Sequence, residues 1–318
     1  MDDLMTASTT APTDKLAKPA PGLYPVGVRP YRILWGYAFM IVLLHFLSLL
    51  VFVPWFFSWT GFVTFLLTPY VFGMLGITLG YHRLLTHRGF TCPKWFEHLL
   101  AILGVCSLQD SPARWVAIHR KHHQFSDDRP DPHSPRVNFL WSHCGWLFVD
   151  NRELSTAGAY ERYARDVLRD PFYMWLERKL MWFWVYVLHA ALFFVTGLAI
   201  GWTTSGSYWE GVRFGASLLV WGVFFRTVVS WHGTWAVNSL SHIWGYQNYE
   251  TGDNSRNNWL VSLLAFGEGW HNNHHAQQRS AAHGHKWWEF DVTYKVIRLL
   301  EAVGLARDVI RPQSDSTK

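Results

Sequence analysis

Four long apolar runs constrain this chain more than any other feature of its sequence. The first, ILWGYAFMIVLLHFLSLLVFV, occupies 33–53. At about 1.5 Å of rise per residue, a helix of that length crosses the roughly 30 Å hydrocarbon layer of a bilayer. Pro54 closes it, a short aromatic turn follows, and a second run over 62–81 brings the chain back. Two further runs, 180–201 and 212–231, are joined by WTTSGSYWE, a turn without Lys or Arg. Hydrophobic residues make up 50% of the sequence and charged residues 16%, a charge content too low for a typical water-soluble domain. The expected class is therefore an all-α integral membrane protein with four transmembrane helices.

The remaining sequence is polar and falls into three parts. Residues 1–30, acidic at the start and interrupted by proline, lack the apolar core of a secretory signal and read as a flexible cytoplasmic tail. The membrane domain spans 31–312, with its polar portions at 82–179 and 232–312 forming a helical cap, and 313–318 is a short C-terminal tail. Basic residues crowd the tail, the middle region and the C-terminal region, whereas both turns between apolar runs lack them. By the positive-inside rule, both termini and the whole cap are expected on the cytoplasmic side. Twenty tryptophans and a net charge of +5 suit a protein that meets lipid headgroups. No Lys/Arg stripe stands apart from the apolar segments, so nucleic acid is not an expected partner. Three cysteines without C-x-x-C spacing suggest neither a disulfide framework nor a zinc ribbon.

The titratable groups concentrate in a few short motifs. HRKHH (His119–His123) and HNNHH (His271–His275) share the spacing H-x-x-H-H. On a helix such spacing places His119, His122 and His123 on one face, and likewise His271, His274 and His275. His82 and His87 in HRLLTH are five apart, about 140° around an ideal helix, and need a helix end or a local bulge to converge. His242 ends VNSLSH, with Asn238 four residues earlier on the same face. The other histidines considered, His45, His98, His133, His143, His189, His283 and His285, read as polar residues at membrane ends, and Arg226 as a structural charge facing protein or water near the cytoplasmic end.

Imidazole binds Zn, Cu, Fe and Ni, so residue type alone does not name a metal. Nine rings and one amide exceed what a single zinc needs, but they would serve two metals with four or five ligands each. A pair of irons can bind and split dioxygen, and nitrogen ligands survive oxidising conditions that consume thiolates. This favours oxygen chemistry.

The ordered set HRLLTH, HRKHH, VNSLSH and GEGWHNNHH, with apolar hairpins between, resembles the membrane fatty acyl desaturases of the stearoyl-type delta-9 group, and the resemblance runs from about Pro30 to Pro312. It implies four membrane helices under a cytoplasmic cap that holds two Fe ions over a narrow acyl tunnel, with O2 as co-substrate. It implies His82, His87, His119, His122, His123, His242, His271, His274 and His275 as iron ligands, and Asn238 as a residue reaching one iron through a water. It also implies a kinked tunnel lined by Gln109, Trp115, Thr234 and Trp235. Tyr70, one turn beyond Leu66 and about 18 Å of helix from His82, is a candidate for the tunnel floor.

The implied reaction introduces a cis double bond, expected at delta-9, into a saturated acyl chain. Dioxygen takes four electrons and the substrate supplies two. The sequence has no H-P-G-G haem motif, G-x-G-x-x-G or cysteine cluster, so an external donor is expected, a ferredoxin or a b-type cytochrome with its reductase. Animal acyl-CoA members carry Arg-Asp before H-x-x-H-H and Arg-Lys after G-W-L-x-V, where this chain has Ala117-Ile118 and Asp150-Asn151. That departure favours an acyl chain esterified to a membrane lipid over a CoA thioester, since Asp150 would repel a polyphosphate. Two other readings stay open: a di-iron fatty acyl or lipid hydroxylase, and a non-enzymatic membrane metal carrier or sensor.

Overall fold

A computed structural model describes residues 23–155 and 157–313, so the expected tails lie outside it at 1–22 and 314–318. Fourteen α-helices are formed among the described residues: α1 (Trp35–Ser48), α2 (Trp59–Thr68), α3 (Lys94–Val105), α4 (Pro112–Phe125), α5 (Phe139–His143), α6 (Arg152–Ser155), α7 (Ala157–Leu168), α8 (Pro171–Glu177), α9 (Met181–Ser205), α10 (Tyr208–Leu219), α11 (Arg226–Ser239), α12 (Trp259–Leu264), α13 (His271–Ala276) and α14 (Val292–Ala302). Among the described residues, four stretches are long and apolar enough to cross a membrane: Trp35–Phe52, Trp59–Thr86, Pro171–Ser205 and Tyr208–His242.

These stretches differ from the apolar runs at their ends. The second begins at Trp59, where the Ser58 hydroxyl accepts from the Gly61 N–H at 2.9 Å, and continues past the expected 81. From Pro69 to Thr86 its backbone widens into a π-helix, and the His87 N–H donates to the His82 carbonyl at 3.1 Å. This i→i+5 pairing brings residues five apart together, which resolves the His82/His87 spacing. The fourth stretch runs on to His242 for a similar reason. Val220–Phe225 is π-helical, and α11 then carries the polar positions Thr234 and Asn238 that end the apolar pattern before the helix itself ends.

Glycines set the closest helix contacts. A Cβ on Gly76 would lie 2.4 Å from the Gly104 nitrogen of α3, and one on Gly197 would lie 2.7 Å from Gly215 Cα, so α9 and α10 pack as a close hairpin. The cap adds one short β-ribbon to this mostly helical fold. Val28–Ile33 forms strand β1 and pairs antiparallel with β2 (Val149–Asn151). Residues 28–30, expected in a flexible tail, are therefore part of a ribbon. In it Asp150 is buried between Arg29 and Arg32, with an oxygen 3.5 Å from each guanidinium.

Candidate metal centre

The histidine motifs lie on four separate elements that converge. Ser111 caps α4, with Pro112 in its first turn, and the helix then runs straight into His119, His122 and His123. The left-handed residues Phe266 (φ +56°) and Gly267 (φ +106°) turn the chain from α12 toward α13. A side chain at Gly267 would strike Asp291 Oδ1 at 2.5 Å, so this turn requires glycine.

Two groups of rings result. His82, His87, His119, His123 and His274 each place a ring nitrogen within 4.8 Å of all the others, and His122, His242, His271 and His275 form a second such group. The Nε2 atoms face one another: 3.1 Å for His82 and His274, 2.9 Å for His119 and His123, and 2.9 Å for His123 and His274. In the second group the distances are 3.0 Å for His242 and His271 and 3.4 Å for His122 and His275.

Carboxylates fix the opposite ring edges. His82 Nδ1 lies 2.5 Å from Glu268, His122 Nδ1 3.0 Å from Asp131, His242 Nδ1 3.1 Å from Asp127 and His275 Nδ1 2.6 Å from Asp253. A neutral imidazole that gives its Nδ1 proton to a carboxylate keeps a lone pair on Nε2. His122 and His275 are both fixed in this way, so two lone pairs point at each other with no proton between them. A cation resolves that opposition. Imidazole nitrogens about 2.1 Å from one metal are about 3.0–3.4 Å apart at right or tetrahedral angles, the range seen here. The buried His87 Nε2, which has no hydrogen-bond partner among the described residues, adds a further waiting donor.

Burial and neighbouring imidazoles hold His87, His119, His122, His123, His271 and His274 well below the usual histidine range, so these rings are neutral and free to ligate at pH 7. Burial raises Asp131 to about 6. Asp127 is held near 2: burial opposes its charge, but His242 and the Asn254 N–H outweigh it.

Sequence reasoning missed this carboxylate shell and two histidines. His133 and His283, expected as polar groups at membrane ends, are 2% and 1% exposed. The His283 ring is 4.3 Å from that of His274, and the His133 ring is 4.4 Å from that of His122. His189 is also interior, 3.3 Å from an Arg226 guanidinium that is itself fully buried and donates to the Cys106 carbonyl. The one available signal was acids close to the motifs: Glu268 precedes HNNHH by three residues, and Asp127 and Asp131 follow HRKHH.

A cavity of about 480 Å³ reaches both groups, with His82, His119 and His271 in its wall. Gln109, Trp115, Thr234, Trp235 and Asn238 all line it. Gln109 Nε2 donates to Thr234 Oγ1 at 3.1 Å, and Trp115 stacks on His119 with centroids 4.9 Å apart. Tyr70 and Leu66 are half-exposed and outside this lining, with the Tyr70 ring against Phe266, which does line it. The positions that differ from the animal CoA-binding pairs are unsuited to gripping phosphate. Ala117 and Ile118 are buried, and Asp150 is already paired within the ribbon.

The fatty acid desaturase family model matches residues 57–302. The chain is 42% identical over 258 residues to the sn-2 palmitoyl-lipid 9-desaturase of Nostoc sp. (strain 36), covering 81% of this chain and 84% of that one. It is 41% identical to the sn-1 stearoyl-lipid 9-desaturase of Synechocystis sp., over 87% of this chain and 80% of the relative. An acyl-CoA 5-desaturase of Anemone leveillei is 45% identical over 81% and 74% of the two chains. With the family model covering most of its length, and relatives aligned along most of both sequences, this chain belongs to the fatty acid desaturase family and is an oxidoreductase.

Proposed function

We propose that the protein introduces a cis double bond at the delta-9 position of a saturated acyl chain carried as a membrane-lipid ester. One observation supports this reading: an apolar cavity reaches His82 and His119 of one histidine group and His271 of the other, and each group could hold a metal ion. The two groups would hold one iron each, with Asn238 beside the four-histidine group acting through a water. Bound there, the irons supply the activation of dioxygen that removing hydrogen from an unactivated methylene requires.

The protein's own residues position the chain. The Gln109–Thr234 hydrogen bond ties the wall after α3 to α11, and Trp115 provides a flat surface beside His119. Holding two adjacent carbons there turns an encounter into a fixed geometry. Glu268, Asp127, Asp131 and Asp253 keep the ligand rings in one tautomer and orientation. The lipid ester is favoured by the buried Ala117 and Ile118, and by the 9-desaturase names of the cyanobacterial relatives. Asp150 no longer contributes to that argument as it did in the sequence, because Arg29 and Arg32 neutralise it. The active site and both termini would face the cytoplasm.

Expression in a host lacking unsaturated lipids, followed by fatty-acid methyl ester analysis, tests the reaction and its position together. Delta-9 monoenes in the lipid fraction are expected, while hydroxylated products or no new product would overturn the assignment. Fast turnover of stearoyl-CoA by purified enzyme with ferredoxin and its reductase would overturn the lipid carrier.

A further inference from the structure

Three histidines outside the two iron groups form a chain of their own. His45 belongs to α1, His232 to α11 and His143 to α5 of the cap. His45 and His143 are half-buried, and His232 is exposed. His45 Nε2 lies 3.1 Å from His232 Nε2, and His232 Nδ1 lies 3.0 Å from His143 Nε2. The chain ends at the Ile41 carbonyl, 2.7 Å from His45 Nδ1, and at Ser239 Oγ, 2.9 Å from His143 Nδ1.

The two ends decide where the ring protons sit. A carbonyl only accepts, so His45 Nδ1 carries its proton and His45 Nε2 keeps a lone pair. At the other end the Ser239 hydroxyl donates to the Trp235 carbonyl at 2.9 Å and therefore accepts from His143 Nδ1. His143 Nε2 then accepts from His232 Nδ1, which leaves a lone pair on His232 Nε2 as well. The lone pairs of His45 and His232 face each other, as those of His122 and His275 do at 3.4 Å. A cation between them satisfies both. Without it, Ser239 can turn its hydroxyl to His143, each ring passes its proton one place along, and every contact is again satisfied. Such a pair can fill and empty reversibly.

We propose that His45 and His232 form a third metal site, for a divalent ion such as Zn2+, with His143 and Ser239 as positioning residues. Imidazole nitrogens suit this class of ion, and the exposed side leaves room for waters to complete the coordination. The acyl cavity lies between the same two helices, with Met40 and Ile41 of α1 and Trp231 and Trp235 of α11 in its lining. All three rings of the chain pack against Trp235, with centroids 6.3 Å away for His45, 5.1 Å for His232 and 5.7 Å for His143. An ion held here fixes the spacing of the two cavity walls. Resting on the reading above, a lipid-borne acyl chain enters that cavity from the membrane, so an occupied site slows its exchange and lowers turnover.

The test uses the full iron-loaded chain in lipid nanodiscs, titrated with Zn2+ against a chromophoric chelator. One Zn2+ is expected to bind without releasing iron, and turnover with ferredoxin and its reductase is expected to fall over the same range of free Zn2+. His45→Gln and His232→Gln should each lose both the binding and the inhibition, with iron and helix content showing that the fold is kept. His143→Ala should weaken binding by about ten- to 100-fold, since it removes only the partner that orients His232. Zn2+ that binds solely by displacing iron, or equally well to His45→Gln, would overturn the site. Binding that leaves turnover unchanged would overturn its coupling to the cavity. Failure of the desaturase reading looks different: no double bond would form even without Zn2+, while the extra ion would still bind the unsubstituted protein and not His45→Gln.

Discussion

Replacing Asp253 by asparagine isolates one element of the metal centre. An Asp253 oxygen sits 2.6 Å from His275 Nδ1, and the carboxylate also accepts from Thr251 Oγ1 at 2.7 Å and from the Ser255 N–H at 2.9 Å. Burial opposes its charge, but these donors, led by His275, hold Asp253 well below the usual carboxylate range. An asparagine side chain retains the shape and can still accept from Thr251 and Ser255. Its amide then faces His275 Nδ1, which must accept rather than donate, so the ring proton moves to Nε2 and removes the lone pair aimed at His122. Losing one charge-assisted hydrogen bond costs about 1.5–3 kcal/mol, which corresponds to roughly ten- to 150-fold in affinity. The expected result is selective. In a chelator competition followed by elemental analysis, the variant keeps the metal of the five-histidine group and loses the one shared by His122, His242, His271 and His275. Turnover falls in proportion, and helix content by circular dichroism is unchanged. Full retention of both metals with normal turnover would refute the argument that this carboxylate fixes the tautomer.

Other outcomes follow from the same geometry. Because His87, His119, His123 and His274 are held well below the usual histidine range, the metal of the five-histidine group should remain bound as pH falls from 8 to about 5.5, whereas a site of ordinary histidines with pKa near 6.5 would release it. The metal-free protein should lose thermal stability as pH drops below about 6.5, since His87, His119, His122, His123, His271 and His274 take up protons when unfolded that burial excludes when folded. Gln109→Ala removes the bond to Thr234 and should broaden the double-bond position by a factor of about five, measured by product chromatography. Gly76→Ala forces a Cβ to within 2.4 Å of the α3 backbone and should lower the melting temperature by about 5 °C or more.

Much of this arrangement was legible in the sequence, because membrane helices and metal ligands both leave periodic marks. The apolar runs overlap the four helical stretches long and apolar enough to cross a membrane, and the two H-x-x-H-H motifs anticipated helix faces that the structure does bring together. The departures arise where the sequence pattern is not periodic. A π-helix has no distinctive composition, so the continuation of the second stretch through His82 to Thr86 was invisible apart from the awkward five-residue spacing. The β1–β2 ribbon depends on pairing across more than a hundred residues, which alternation in six residues cannot reveal. His133 and His283 looked isolated because their partners, Asp131 aside, come from distant segments. The carboxylate shell was hidden for the same reason: acids such as Asp253 lie in a loop, and only the folded backbone brings that loop against α13.

The central claim is that nine histidines from four separate segments hold two neighbouring irons. Diffraction data collected on either side of the iron absorption edge, on the purified protein, would decide it. The account predicts two anomalous peaks, one enclosed by His82, His87, His119, His123 and His274 and the other by His122, His242, His271 and His275. A single peak, or metal lying outside these rings, would contradict it.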